Sequence, residues 1–141
     1  MTVSGLDRVF LDTSFVQALF SRRDEHPNRA IALRSSLEAA TIWTTEAVLF
    51  EIGNALATLN REAAVEFIED AYRAPNIQVV RLTTEGFLSA LALYRSRPDK
   101  QWGLVDCLSF EAMRREQISA ALTADRHFVQ AGFRALMLEE L

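Results

Sequence analysis

Short apolar segments alternate with amphipathic helical patterns along the whole chain. The apolar segments predict five strands, at residues 8–11, 41–44, 77–82, 118–122 and 135–138, the last at an edge of the sheet. Between them, apolar residues recur every three or four positions, which is typical of helices with one buried face. Strands that alternate with helices predict a mostly parallel sheet covered on both faces.

Polar residues mark where several of these helices begin. Ser14 and Gln17 have the spacing of a capping box, Thr45 precedes a helix that runs to about residue 59, and Asn60 precedes another. A further helix starts at Thr84. The glycine at 132 is expected to stop a short helix over residues 127–130.

The helical patterns also predict which side chains face the core. After a break at residues 26–28, one apolar face consists of Ala30, Ile31, Leu33 and Leu37. A later one consists of Phe87, Leu88, Leu91 and Tyr94.

The composition is that of a soluble globular protein. The chain has 141 residues, of which 50% are hydrophobic and 24% charged, so we expect residues 1–141 to form a single domain. No apolar run reaches the roughly 18 residues of a membrane span, and the N-terminus has no signal-peptide pattern. The single cysteine, Cys107, excludes an internal disulfide and a cysteine-based zinc site, so a cytoplasmic location is expected.

Four carboxylates lie in apolar surroundings. Asp12 and Asp125 follow predicted strands, Asp106 opens a helix, and Glu51 lies beside a helix's apolar face. Ligands of open parallel sheets bind beyond the carboxyl ends of the strands, so neighbouring strands would bring Asp12 and Asp125 together. Asp106 would join them only if the loop over residues 96–105 carries the start of its helix to the same edge. The hypothesis is one metal site, whose bound cations would offset a net charge of −4.

Each of these residues also has an ordinary explanation. Asp125 can be a helix N-cap, Asp106 can favour the helix dipole, and Glu51 can be half-exposed or paired with an arginine. The pattern predicts His127 as a surface or packing residue and Asp99 as a turn residue. Cys107, Trp43 and Trp102 are expected to pack in the core.

Four motifs, in order, carry a resemblance to a known family. They are Val9-Phe10-Leu11-Asp12-Thr13-Ser14, the segment from Thr44-Thr45-Glu46 to Leu49-Phe50-Glu51-Ile52, Val105-Asp106-Cys107-Leu108-Ser109-Phe110, and Leu122-Thr123-Ala124-Asp125-Arg126-His127-Phe128. With them the chain resembles the PIN-domain ribonucleases, and among these the VapC-like toxins of bacterial toxin–antitoxin pairs. The resemblance covers residues 9–138.

The resemblance implies a three-layer α/β/α fold with a central, mostly parallel sheet of about five strands. It also implies endonucleolytic cleavage of RNA that depends on Mg²⁺ or Mn²⁺, with Asp12, Glu51, Asp106 and Asp125 as the catalytic and metal-binding acids. Asp12 and Asp106 are expected to be direct ligands, and Asp125 would bind a second ion or a water on the metal. Glu51 would act through water. Thr13 and Thr123 are expected to hydrogen-bond these carboxylates.

The pattern departs from the family at one position. Some members carry a further acid where this chain has His127, which leaves one or two metal ions open, and Asp99 is the acid that could compensate. Arg126 and the pair Arg114 and Arg115 are candidates for substrate contacts or ordinary solvated positions.

Two alternatives and two partners complete the predictions. A Mg²⁺-dependent phosphohydrolase would use Asp12 as nucleophile, but it favours an acid where this chain has Ser14. The second alternative is a non-catalytic PIN-like binding module. A VapC-like toxin is expected to bind a cognate antitoxin and to form a homodimer. We expect the protein to be cytoplasmic and not to associate with a membrane. Apolar residues around Phe15, Phe20 and Ile31 would serve such contacts or belong to the core.

Overall fold

Five parallel strands form the centre of the fold. A computed structural model describes residues 6–20 and 38–139. The strands are β1 (Arg8–Leu11), β2 (Thr41–Thr45), β3 (Ile77–Val80), β4 (Ala120–Leu122) and β5 (Arg134–Ala135). They pair in the order β3-β2-β1-β4-β5, and every pairing is parallel. The prediction of a mostly parallel, five-stranded sheet is confirmed.

Helices cover both faces of this sheet and complete the three predicted layers. They are α1 (Thr13–Phe20), α2 (Glu46–Leu56), α3 (Arg61–Arg73), α4 (Thr84–Ser96), α5 (Leu104–Arg115) and α6 (Arg126–Gln130). Parallel crossovers are right-handed, so the step from β2 to β3 and the return from β3 to β4 place their helices on opposite faces. The helix predicted around Ala30, Ile31, Leu33 and Leu37 lies outside the described residues.

The predicted helix boundaries are confirmed at three positions. Thr45 and Asn60 accept backbone N–H groups from Val48 and Ala63 at 3.1 and 3.0 Å. Gly132 has a φ of +97°, a left-handed conformation that favours glycine, and it lies two residues after the end of α6.

The capping box at Ser14 is wrong. The helix begins one residue earlier, at Thr13, and the Ser14 hydroxyl donates to Asp12 Oδ2 at 3.1 Å. Ser14 also accepts the backbone N–H of Ala124 at 3.0 Å. Its side chain therefore ties the end of β1 to the segment after β4 instead of capping its own helix.

The core lies around β1 and β4 and is covered by α1, α2 and α5. Phe110 packs edge-on against Trp102 and Phe128, with ring centroids 5.0 Å apart in each pair. Cys107 is fully buried and Trp43 is partly buried against the core, as expected for packing residues.

Several predicted details of the elements differ from the structure. Residues 136–138 form a 3₁₀ turn, β3 ends at Val80, and β4 begins only at Ala120. Leu59 lies beyond the end of α2 and is exposed. The predicted inward face of α4 is also exposed, and only Ala90 of that helix is buried. Periodicity identifies an apolar face, but it does not say which element covers that face.

Candidate active site

The site forms where β1 and β4 end side by side. Leu11 pairs with Leu122, and the backbone N–H of Asp12 donates to the Leu122 carbonyl at 3.3 Å. The chain leaves β1 for β2 on one side, and β4 lies on the other, so the sheet order reverses here. A crevice opens at such a point, beyond the carboxyl ends of the strands.

Asp12 is the most buried carboxylate of the site. Its side chain is 6% exposed, and Oδ2 accepts hydrogen bonds from Thr123 Oγ1 at 2.7 Å and from Ser14 Oγ at 3.1 Å. Burial raises the pKa of Asp12 from 3.8 to about 6, although these hydrogen bonds act in the opposite direction. The ionised form is therefore costly here unless a cation offsets it.

Glu51 reaches the crevice from the middle of α2. It is half-buried, and its Oε1 accepts a hydrogen bond from Thr13 Oγ1 at 2.8 Å. Burial raises the pKa of Glu51, the Thr13 hydrogen bond lowers it, and the negative charges of Asp106 and Asp125 raise it further. Thr13 and Thr123 thus each donate to a carboxylate of the site.

The loop over residues 97–103 brings Asp106 to the same edge. Trp102 anchors this loop, because its ring is buried and its Nε1–H donates to Gln130 Oε1 at 3.1 Å. The helix α5 then starts at Leu104, and Asp106 Oδ2 accepts the Gly103 N–H at 3.0 Å. Burial raises the pKa of Asp106, partly against that hydrogen bond.

Asp125 and His127 complete the crevice. Asp125 caps α6 by accepting the His127 backbone N–H at 2.8 Å, so the N-cap explanation holds. Asp125 also lines the crevice, and the two explanations do not compete. The His127 ring places Nδ1 3.0 Å from Asp106 Oδ2 and 3.3 Å from Asp125 Oδ1. The sequence pattern did not assign His127 to the site, although it stands two residues after Asp125, where some members of the family carry a further acid.

These side chains line one open cavity of about 460 Å³. The lining residues are Asp12, Thr13, Ser14, Gln17, Glu51, Asn54, Ala55, Asp106, Asp125 and His127. Single donor atoms of Asp106, Asp125 and His127 lie within 4.8 Å of one another. Within residues 6–20 and 38–139, no arginine or lysine forms an ion pair with the four carboxylates. Desolvated carboxylates without a cationic partner fit a divalent cation, and oxygen donors suit Mg²⁺ or Mn²⁺.

Other candidate residues lie elsewhere. Asp99 is exposed and forms two hydrogen bonds of 2.9 Å with Arg97, so it does not compensate for the missing acid. Arg114 and Arg115 lie in the last turn of α5, the opposite end from Asp106. Glu46, from the Thr-Thr-Glu motif, accepts from the Leu82 N–H and the Tyr72 hydroxyl instead of lining the cavity.

The apolar residues considered for partner contacts divide between core and surface. Phe15 is buried, whereas Phe20 is 41% exposed, and both line an apolar cavity between α1 and α3. Ile31 lies outside the described residues. None of the described helices is long and apolar enough to cross a membrane.

Comparisons with known proteins agree with this fold. The family model of the PIN domain matches residues 9–134 of the sequence. The crystal structure of VapC20 from Mycobacterium tuberculosis, a toxin that cleaves the sarcin–ricin loop, superposes with a TM-score of 0.79. It is 26% identical, over 89% of this chain and 95% of that one. FitAcB from Neisseria gonorrhoeae has a similar fold, with a TM-score of 0.62 and 16% identity over 90% of this chain and 94% of that one. No curated protein matches the chain significantly.

Proposed function

Because this chain belongs to the PIN domain family, we propose that it is a Mg²⁺- or Mn²⁺-dependent endoribonuclease and the toxin of a type II toxin–antitoxin pair. The observation that carries the proposal is the gathering of Asp12, Glu51, Asp106 and Asp125 around one open cavity at the switch point of the sheet. The structural similarity of this chain to a toxin that cleaves the sarcin–ricin loop supports RNA as the substrate.

The four acids would hold the metal and orient the nucleophile. We assign Asp12 and Asp106 as direct ligands, because both are desolvated and both have raised pKa values. Asp125 would hold a second ion or its water. Glu51, which is held by Thr13, would orient the attacking water for in-line attack on the phosphodiester. The bound cation would supply positive charge that stabilises the phosphate and makes water more acidic.

The hydroxyls around Asp12 support a ligand role and disfavour a nucleophilic one. Thr123 and Ser14 both donate to Oδ2 and fix the orientation of the carboxylate. A phosphohydrolase of the type considered above would need Asp12 to attack the substrate and an acid two residues later. The residue there is Ser14, whose hydroxyl is hydrogen-bonded to Asp12, so the phosphohydrolase alternative has no general acid at that position.

The test compares wild type with Asp106→Asn on defined substrates. A sarcin–ricin loop oligonucleotide and a pool of structured RNA are each incubated with Mg²⁺, Mn²⁺ or chelator, and the cut ends are mapped. Wild type should cut RNA at discrete positions only with metal, and the variant should lose at least about a hundredfold in rate, since a charged ligand is lost. A DNA oligonucleotide of the same sequence tests the sugar requirement.

Two results would contradict the proposal. Equal cutting by the variant would identify a contaminating nuclease. No cutting of any RNA, while the protein still binds metal, would favour the non-catalytic binding module. Far-ultraviolet circular dichroism of both proteins shows whether the variant is folded.

We propose a cognate antitoxin and a second copy of the chain as partners of this single-domain, cytoplasmic protein. The likeness to a VapC toxin supports the antitoxin. The homodimer is supported by the exposed apolar face of α4, where Phe87, Leu88, Leu91 and Tyr94 are each more than 40% exposed. Contiguous exposed apolar surface of this kind is typical of protein interfaces.

A further inference from the structure

The imidazole of His127 faces the two carboxylates at the mouth of the cavity. Its Nδ1 lies 3.0 Å from Asp106 Oδ2 and 3.3 Å from Asp125 Oδ1. All three side chains are partly exposed, with 28%, 18% and 34% of the His127, Asp106 and Asp125 side chains accessible, so a hydrated ion can reach them. One nitrogen and two oxygens therefore converge in a place where a purely carboxylate site was expected.

We propose that His127 Nδ1 is a direct ligand of the metal, and that the site consequently selects Mn²⁺ over Mg²⁺. The inference rests on the proposed function, because it concerns the same cation. It adds a nitrogen donor to the carboxylate ligands. It also replaces the statement that either Mg²⁺ or Mn²⁺ binds by a preference for Mn²⁺.

The spacing of the donors supports coordination. Metal–oxygen bonds of about 2.1 Å at right angles place adjacent octahedral ligands about 3 Å apart. The two distances from Nδ1, 3.0 and 3.3 Å, have this value.

The hydrogen bonds around the carboxylates support coordination over mere positioning. Asp106 Oδ2 already accepts the Gly103 N–H, and Asp125 Oδ1 already accepts the backbone N–H of His127. Both oxygens are thus oriented by the main chain, and neither needs the imidazole to hold it. Nδ1 lies at hydrogen-bonding distance from Asp106 Oδ2, and with the ring proton on Nε2 its lone pair can bind an ion held by the same oxygens.

The donor type sets the metal preference. Mg²⁺ takes oxygen ligands and gives up its waters reluctantly, whereas imidazole suits first-row transition ions, among which Mn²⁺ also accepts carboxylates. A site with one imidazole and several carboxylates therefore favours Mn²⁺ more strongly than an all-carboxylate site does. An acid at position 127, as in other members of the family, would remove that bias.

The experiment measures binding of metal alone, without RNA. Wild type, His127→Asp and His127→Gln are titrated with Mn²⁺ and with Mg²⁺ by calorimetry, and their Mn²⁺ complexes are measured by pulsed electron paramagnetic resonance, which detects a coordinated nitrogen. The chain has two histidines, so His26→Gln is the matched control. Wild type and His26→Gln should show the nitrogen signal, and both His127 variants should lose it.

The affinity ratio gives a second readout. His127→Asp should lower the preference for Mn²⁺ over Mg²⁺ by about tenfold or more relative to wild type, because it restores an all-oxygen set. A wild-type Mn²⁺ complex without a coordinated nitrogen would overturn the inference, as would an unchanged ratio in His127→Asp. If a His127 variant does not fold, the wild-type and His26→Gln spectra still decide.

The outcomes separate this inference from the proposed function. Mn²⁺ bound through nitrogen in a protein that cuts no RNA would overturn only the function. Metal-dependent cleavage with no bound nitrogen would overturn only the role of His127. Failure to bind either metal would overturn both.

Discussion

At the residue scale, the most consequential property is the cost of charge on Asp12. Burial raises its pKa in the folded state to about 6, above the ordinary 3.8. A carboxylate with a raised pKa costs nothing below its unfolded pKa, where it is protonated in both states. The penalty grows as the pH rises through the folded pKa, so the metal-free protein is destabilised at neutral pH by this group.

We expect Asp12→Asn to stabilise the metal-free protein at pH 8 relative to wild type. The amide is neutral at every pH and keeps an oxygen that can accept from Thr123. The advantage of the variant in free energy of unfolding should grow by about 2 kcal/mol between pH 4 and pH 8, because the raised pKa of Asp12 lies between these two values. Urea denaturation in chelator measures it. A difference that is the same at both pH values would show that the pKa of Asp12 is not raised in the folded protein.

The sequence predicted the four acids but not their neighbour His127. The acids follow strands or interrupt apolar helix faces, and those positions alone suggested a shared site. A lone histidine in a short helix is most simply interpreted as a surface residue, because the local sequence does not show which side chain it contacts. The side chain that His127 contacts is Asp106, which is 21 positions away in the sequence and is brought close only by the fold.

At the element scale, the start of α5 depends on one anchor. Trp102 is 4% exposed and packs edge-on against Phe110. It also donates a hydrogen bond to Gln130, the last residue of α6. It therefore joins the element that carries Asp106 to the element that carries His127. The loop length suggested that α5 could begin above the sheet, and this anchor explains how it does so.

We expect Trp102→Ala to lower the free energy of unfolding by about 3–5 kcal/mol, as for other large core aromatics. Trp102→Phe should lose less, because it keeps the ring contact with Phe110 and loses only the hydrogen bond. Under conditions where all are folded, the alanine variant should also bind Mn²⁺ more weakly than the phenylalanine variant. Guanidinium denaturation and calorimetry measure these effects. Undiminished metal affinity in the alanine variant would mean that the loop positions Asp106 without this anchor.

The exposed face of α4 makes a separate prediction about assembly. Substituting Leu88→Glu places a charge among Phe87, Leu91 and Tyr94, and a charge is costly to bury in an interface. We expect wild type to sediment as a dimer and the variant as a monomer in analytical ultracentrifugation. Val65→Glu, at an exposed position on α3, is the control and should leave the wild-type state unchanged. A variant that remains dimeric would place the interface elsewhere.

At the scale of the whole molecule, we expect the four carboxylates to make stability depend on bound metal. They repel one another, so the metal-free protein should melt at a lower temperature than the Mg²⁺- or Mn²⁺-bound protein. A ligand at a hundred times its Kd stabilises the folded state by about 2.7 kcal/mol. Calorimetric melting of wild type and Asp106→Asn, with metal and with chelator, measures this. Equal melting temperatures for the wild type in both conditions would count against a shared site.

The fold was predictable to the extent that it is local. Alternation of strand and helix indicated the parallel sheet, and polar residues at Thr45 and Asn60 marked where helices begin. The prediction of a shared site assumed that β1 pairs with β4. The sequence could not show this pairing, because no local pattern indicates which distant strands become neighbours. That pairing is what turns separate carboxylates into one site.

The same pairing sets the time at which the protein becomes able to act. Thr123 and Asp12 touch across 111 positions of sequence, and β1 is completed by a strand that is synthesised much later. A chain that leaves the ribosome at roughly 5–20 residues per second has Asp12 exposed for several seconds before Asp125 follows. During translation the cavity does not yet exist. A nuclease of the proposed kind therefore lacks its complete set of acids until this late segment has emerged.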